Sequence, residues 1–393
     1  MKVPAALLLL DILLLLLLQL HPKTLITALC RQYPASMSLT TPVTELLGIK
    51  HPVMLAGMGK VAGAPLAAAV SNAGGLGVLG GIGYTVPMLR DMLKELKASL
   101  RDPSLPFGVD LLVPQVGGSA RKTNYDYTKG GLDELIDVVI ESGAKLFVCA
   151  VGIPPKAVVD KLHQNGILYM NMVGHPKHVH KACAVGADLI CAQGAEGGGH
   201  TGEVPTSVLL PACADICKQY TSPLTGKPVQ LVAAGGIADG RGLAAAFMFG
   251  ANAVWMGTRF VTARESGASK AAKQAIINGG FDATIKSTVW TGRPLQAIKT
   301  PYIANWEENR KGEIQALQAK GTLVMEHELD KLAKEGKLTD EIEDQSICHP
   351  AGKVTGLVNK PEQSAEEIVQ EIVAEAHQLL NGAGRYVKPQ ARL

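Results

Sequence analysis

Residues 229–259 read VQLVAAGGIADGRGLAAAFMFGANAVWMGTR, from Val229 to Arg259. Val229–Ala233 is a short apolar run interrupted only by Gln230, the pattern of a strand covered on both faces. The turn Ala234-Gly-Gly-Ile-Ala-Asp-Gly240 follows, and Gly240–Phe249 has the composition of a helix. A second apolar run, Ala253–Met256, ends in a second glycine turn, Met256-Gly-Thr-Arg259. Strand, helix and strand in this order make a βαβ unit with parallel strands. Glycines at the strand ends let backbone N–H groups approach phosphate oxygens with no Cβ in the way. A helix opening near Gly240 is expected to add its positive end, and Thr258 a hydroxyl.

The unit recurs towards the N-terminus. Strands are expected at Val53–Met58, Gly77–Leu79, Phe107–Val113, Lys145–Val151, Leu168–Val173 and Asp188–Ala192, with helical stretches between them. With the two strands above, this makes eight, which fit a closed (β/α)8 TIM barrel over residues 42–264. In that fold, sites form at the C-terminal strand ends, and phosphate often sits after strands seven and eight. Those are the two glycine turns quoted. Gly117–Gly130 is polar and reads as an inserted loop. Beyond the barrel, Asn309–Lys320 and Leu323–Glu335 look helical, so residues 265–385 are expected to be a helical accessory region. Ser364 and Glu367 make a capping box before a last helix with Ile368, Ile372, Ala376 and Leu379 on one face. Residues 386–393 read as an exposed tail.

The chain is 393 residues long, 47% hydrophobic and 19% charged, with a formal charge of +3. It can bury a large core, and no basic run makes a case for nucleic acid. Its seven cysteines lack disulfide-framework spacing. Cys213 and Cys217 read as core residues rather than metal ligands, and no metal site is expected. Residues 5–20 are almost wholly apolar. They look like a signal or anchor segment, or, if translation starts at Met37, residues 1–36 are absent from the mature chain. Membrane contact is expected only if that segment is retained. The C-terminal Ala391-Arg392-Leu393 is close to a peroxisomal address, which suits a start near Met37; the alternative is a membrane-anchored or secretory location.

The loop after strand six runs from Gln193 to Gly202 and carries His200 in a glycine run. An imidazole there is expected to face the barrel mouth as a base. Gln193, at the strand tip, is placed to bond the edge of a cofactor ring. His175, His178 and His180 follow strand five; a metal site is not favoured there, although His175 can line the mouth. Gly75-Leu-Gly-Val-Leu-Gly80 matches G-x-G-x-x-G, but it follows a helix and contains a strand, so it reads as close-packing glycine.

Together these residues resemble the nitronate monooxygenase family, once called 2-nitropropane dioxygenases. The resemblance spans about Pro42 to Arg264. It rests on His51-Pro-Val-Met-Leu-Ala-Gly-Met58, Ser71-Asn-Ala-Gly-Gly-Leu-Gly77, the Gln193–Gly202 loop, Ala233-Ala-Gly-Gly-Ile-Ala-Asp-Gly-Arg241 and Gly257-Thr-Arg-Phe260. It implies FMN, with Gly235, Gly236, Gly257 and Thr258 on the phosphate. Ala56, Gly57, Met58, Gln193 and Gly198 would lie by the flavin ring, and His200 would match the catalytic histidine. Where the family has Phe-Gly-Val-Asn, this chain has Phe107-Gly-Val-Asp110, and an ionised Asp can only accept hydrogen bonds. The implied reaction is oxidation of an alkyl nitronate, or a nitroalkane, by O₂ to a carbonyl compound and nitrite. The alternative is an NAD(P)H-dependent flavin reductase of the enoyl-acyl-carrier-protein or quinone type. An inosine-monophosphate-dehydrogenase type would need a cysteine in the loop after strand six, whereas Cys191 falls inside the strand. A barrel that binds without catalysing is the reading from another class.

Overall fold

The computed structural model describes residues 38–387. The apolar run at residues 5–20, Met37 and the Ala391-Arg392-Leu393 ending lie outside them. Residues 39–387 form one compact unit.

Eight parallel strands carry the fold: β1 (Val53–Leu55), β2 (Gly77–Gly80), β3 (Phe107–Leu112), β4 (Leu146–Ala150), β5 (Leu168–Val173), β6 (Leu189–Gln193), β7 (Gln230–Ala234) and β8 (Ala253–Met256). Their order is β1-β8-β7-β6-β5-β4-β3-β2. The ring closes between β1 and β2, where Leu55 N donates to Leu76 O and Leu76 N to Val53 O, each at 2.9 Å. This is the expected TIM barrel.

Period-two alternation sorts the strand side chains into two cores. Met54, Val78, Leu146, Val148, Met170, Val232 and Trp255 fill the barrel interior. Val53, Leu55, Leu79, Phe147 and Val254 face the surrounding helices. Small residues let the layers close: a Cβ on Gly77 would sit 1.7 Å from Ala67 O, which accounts for the glycine-rich 75–80 stretch by packing.

The helix Ala365–Gly382 opens on the Ser364–Glu367 capping box and buries Ile368, Val369, Ile372, Val373 and Ala376 in the same core as the barrel helices. The buried stripe ends at Ala376, and Leu379, expected on that face, is exposed. Between β8 and this helix lie five further helices of seven or more residues and two strands, Thr284–Ser287 and Leu295–Ile298. The region is helical in the main, as expected, and the two strands add to it. They pair antiparallel with each other, and Leu295–Ile298 also pairs with Gly199–His200. Each has only four residues, too short for alternation to register in the sequence. Val289, Ile303, Trp306, Ile314, Val324 and Met325 form a separate small core here. Among the described residues no helix is long and apolar enough to cross a membrane.

Candidate active site

The C-terminal strand ends surround a cleft of about 1960 Å³. Every catalytic or cofactor-binding candidate from the sequence lines it: Ala56, Gly57 and Met58 after β1, Asp110 on β3, Gln193 at the end of β6, Gly198 and His200 after it, Gly235 and Gly236 after β7, and Gly257 and Thr258 after β8. Cys213 and Cys217 are instead buried among the helices.

Gly235 and Gly236 both have positive φ, +80° and +75°, which a β-carbon would strain. The N–H groups of Gly236, Gly257 and Thr258 bond no other group among the described residues. The Thr258 hydroxyl accepts from Gly352 N at 3.0 Å and keeps its own proton for an acceptor in the cleft. These turns therefore offer several donors to one anionic group. The helix opening at Gly240 does not join them, contrary to expectation. Gly240 N donates to the Glu375 carboxylate at 2.7 Å, and Asp239 accepts from Arg241 N and Gly242 N. Two carboxylates thus occupy that positive end. Gly240 serves packing: a Cβ there would lie 2.4 Å from Ala376 N.

His200 lies on a two-residue strand rather than in a loose loop. Its Nε2 shares a 2.9 Å hydrogen bond with the Thr291 hydroxyl. Burial, with the nearby Arg293 charge, lowers its pKa to about 4, so the ring is neutral at pH 7. Gln193 donates to His200 O at 2.8 Å and to Gly198 O at 3.3 Å, so its amide nitrogen fastens the loop and its Oε1 remains for a ligand. Glu196 accepts from Thr206 N and Oγ1, which ties the same loop to the following helix.

Asp110 is 2% exposed, and its Oδ1 has no partner among the described residues. Its Oδ2 stands 2.2 Å from where a Gly57 Cβ would be, so only glycine fits beneath it. Burial pushes its pKa up to about 8, and at neutral pH it is a carboxylic acid that can donate. That answers the objection raised by its departure from asparagine. Burial also pushes the thiols of Cys149 and Cys191 up, so neither is a nucleophile.

His180 is spent on Tyr220, 2.8 Å away, while His175 and His178 line the cleft with ring centroids 5.9 Å apart. Sequence reading missed Arg121, Val151, Thr291, Arg293 and His349, which also line the cleft. Arg121 belongs to the inserted 117–130 stretch. Thr291 and Arg293 sit between two strands that had left no pattern, so no local signal marked them.

Residues 40–375 match the sequence family described as nitronate monooxygenase. The chain is 36% identical over 275 residues to the "(3aS,4S,5R,7aS)-5-hydroxy-7a-methyl-1-oxo-octahydro-1H-indene-4-carboxyl-CoA dehydrogenase" of Mycobacterium tuberculosis, covering 70% of each chain. It is 34% identical to a probable nitronate monooxygenase of Staphylococcus saprophyticus, over 69% of this chain and 82% of that one. Among solved structures it resembles FabK from Thermotoga maritima, with a TM-score of 0.71 and 29% identity over 89% of this chain and 100% of that one. A nitroalkane oxidase from Streptomyces ansochromogenes aligns with a TM-score of 0.70 and 25% identity, over 87% of this chain and 99% of that one.

Proposed function

The chain belongs to the nitronate monooxygenase family, and from that premise we propose that it is an FMN-dependent enzyme that oxidises alkyl nitronates with O₂ to a carbonyl compound and nitrite. The residues present fit the cofactor. Gly235, Gly236, Gly257 and Thr258 would hold its phosphate with free N–H groups and a hydroxyl. Ala56, Gly57, Met58, Gln193 and Gly198 would flank its ring, and the orphaned Asp110 carboxyl would find its partner there. Bound there, FMN would supply the redox chemistry, while these residues hold and orient it.

The observation that carries the reading is the neutral His200 on the cleft wall. A nitronate has already lost its α-proton. It needs a group that orients it, which a neutral imidazole held by Thr291 does. A neutral nitroalkane needs a base, and an imidazole of pKa about 4 is a weak one. The purified protein should show an oxidised-flavin spectrum and release nitrite from propionate 3-nitronate, and much more slowly from the neutral nitro compound. A flavin-loaded protein that releases no nitrite from the nitronate defeats the proposal.

The relatives favour a second reading. A carboxyl-CoA dehydrogenase and FabK among them support a flavin-linked dehydrogenase or NAD(P)H-dependent reductase of a thioester. Rapid anaerobic bleaching of the flavin by NADH, NADPH or an acyl-CoA, with no nitrite from nitronates, would establish it.

A further inference from the structure

We propose that Arg293 and Arg121 form an anion seat beside His200, which grips the substrate through a planar two-oxygen group such as a nitronate or a carboxylate. The inference rests on the cleft being the active site, not on which reaction runs there.

Arg293 is half-buried in the cleft wall. Its Nε donates to Asn124 Oδ1 at 3.0 Å and its Nη1 to Val151 O at 3.2 Å. Both partners are neutral, and no carboxylate pairs with it among the described residues. Arg121 approaches from the inserted loop, with its Nη1 on Gly292 O at 3.1 Å, and it too has no acidic partner there. Its charge is close enough to depress the Arg293 pKa further, after burial. His200 feels the Arg293 charge as well. Arg293, half-buried, paired only with neutral oxygens and close to the charge of the exposed Arg121, is costly to hold there unless an anion joins it.

The acids lining the cleft do not supply that anion. Asp126 accepts from Thr128 N, Thr128 Oγ1 and Gly130 N. Glu203 pairs with Lys286 at 3.2 Å. Glu196 is held by Thr206. Asp133 lies in the first turn of the helix Leu132–Ser142, and Asp110 is buried and protonated at neutral pH. The phenol of Tyr127, which faces Arg293, is pushed up by burial and stays neutral.

Position and shape then specify the ligand. Arg293 follows Thr291, the residue bonded to His200, by two positions, so the guanidinium and the imidazole border the same space. Asn124 and Val151 fix two edges of the guanidinium plane and leave the outer Nη2 without a partner among the described residues. A planar fork suits two coplanar oxygens better than a point charge does.

The test titrates the flavin-loaded protein with propionate, propionamide and inorganic phosphate, read by the flavin difference spectrum and by calorimetry. Propionate should bind at least tenfold more tightly than propionamide and more tightly than phosphate. Arg293→Gln should weaken propionate binding by roughly 10- to 100-fold and Arg121→Gln by roughly fivefold, with unchanged FMN content. Arg293→Lys, which keeps the charge and loses the fork, should fall between. Equal affinity for propionate and propionamide overturns the seat, and needs no variant to observe. Wild-type affinity in Arg293→Gln, or Arg293-dependent binding in which phosphate outcompetes propionate, also overturns it. Calorimetry registers the anion whether or not nitronate is turned over. Arg293-dependent binding without nitrite release would therefore reject the nitronate reaction and retain the seat.

Discussion

Two aspartates at opposite ends of the barrel are buried alike, and their surroundings differ completely. Asp188, just before β6, is 1% exposed and fully engaged. It accepts from Tyr169 N at 2.7 Å, from Ser222 Oγ at 2.6 Å, and bonds His163 Nε2 at 2.9 Å. Asp110, towards the C-terminal end of β3, is 2% exposed with one oxygen unpartnered. A buried carboxylate with its bonds made holds the structure together. One without them is a cost that the rest of the fold carries. The same contrast separates Arg310, which pairs with Glu313 and Glu328, from Arg293, which pairs with no acid. Asp188 at the closed end is satisfied within the protein, whereas Asp110 and Arg293 at the open end are left incomplete for a ligand.

At pH 7 a large effect is expected at the closed end. Asp188→Ala strands the Tyr169 amide, the Ser222 hydroxyl and His163 together, and should cost about 3 kcal/mol or more. The readout is the denaturant midpoint at pH 7 with an unchanged m-value. The contrast breaks if Asp110→Ala costs as much.

Asp110→Asn sharpens it through pH. In the unfolded chain Asp110 ionises near its ordinary value of 3.8; in the fold it ionises near 8. Between those values the folded state binds the extra proton. Its contribution is present in full below pH 4 and is lost as pH rises through 8. The wild type should therefore lose about 1.4 kcal/mol per pH unit in this window relative to Asp110→Asn. His51 and His200, both lowered to about 4 with burial the main cause, act with the opposite sign between pH 4 and 6.5, and they cancel in the difference. Parallel stability curves for the two proteins would mean that Asp110 is ionised in the fold.

The barrel was legible because the strands are buried on both faces and so read as mostly apolar runs between turns. The glycine turns and His200 were legible because backbone conformation and a lone imidazole in a polar loop leave local marks. Other features depended on distant chain. The positive end at Gly240 is taken by Glu375, 135 residues away, and no local pattern shows that. Arg121 and Arg293 meet at the cleft only because an inserted loop and a hairpin beyond the barrel converge there. Asp110 was visible only as a departure from the family pattern; its protonation follows from burial, which the fold supplies.

The smallest effect concerns Val151, which follows β4 at the cleft wall with φ of +68°. A β-branched residue there stores roughly 1–3 kcal/mol of strain. Its carbonyl receives Arg293 Nη1, so the strained turn is also what steadies the guanidinium. Val151→Gly removes the strain but frees the unfolded chain, which returns part of the gain. The net should be stabilisation by about 1 kcal/mol, with propionate affinity a few-fold weaker because Arg293 loses a rigid anchor. Denaturant titration and calorimetry on one preparation read both. Stability gained while affinity falls is what an open end strained for binding requires. Stability lost, with affinity unchanged, would make Val151 an ordinary packing residue.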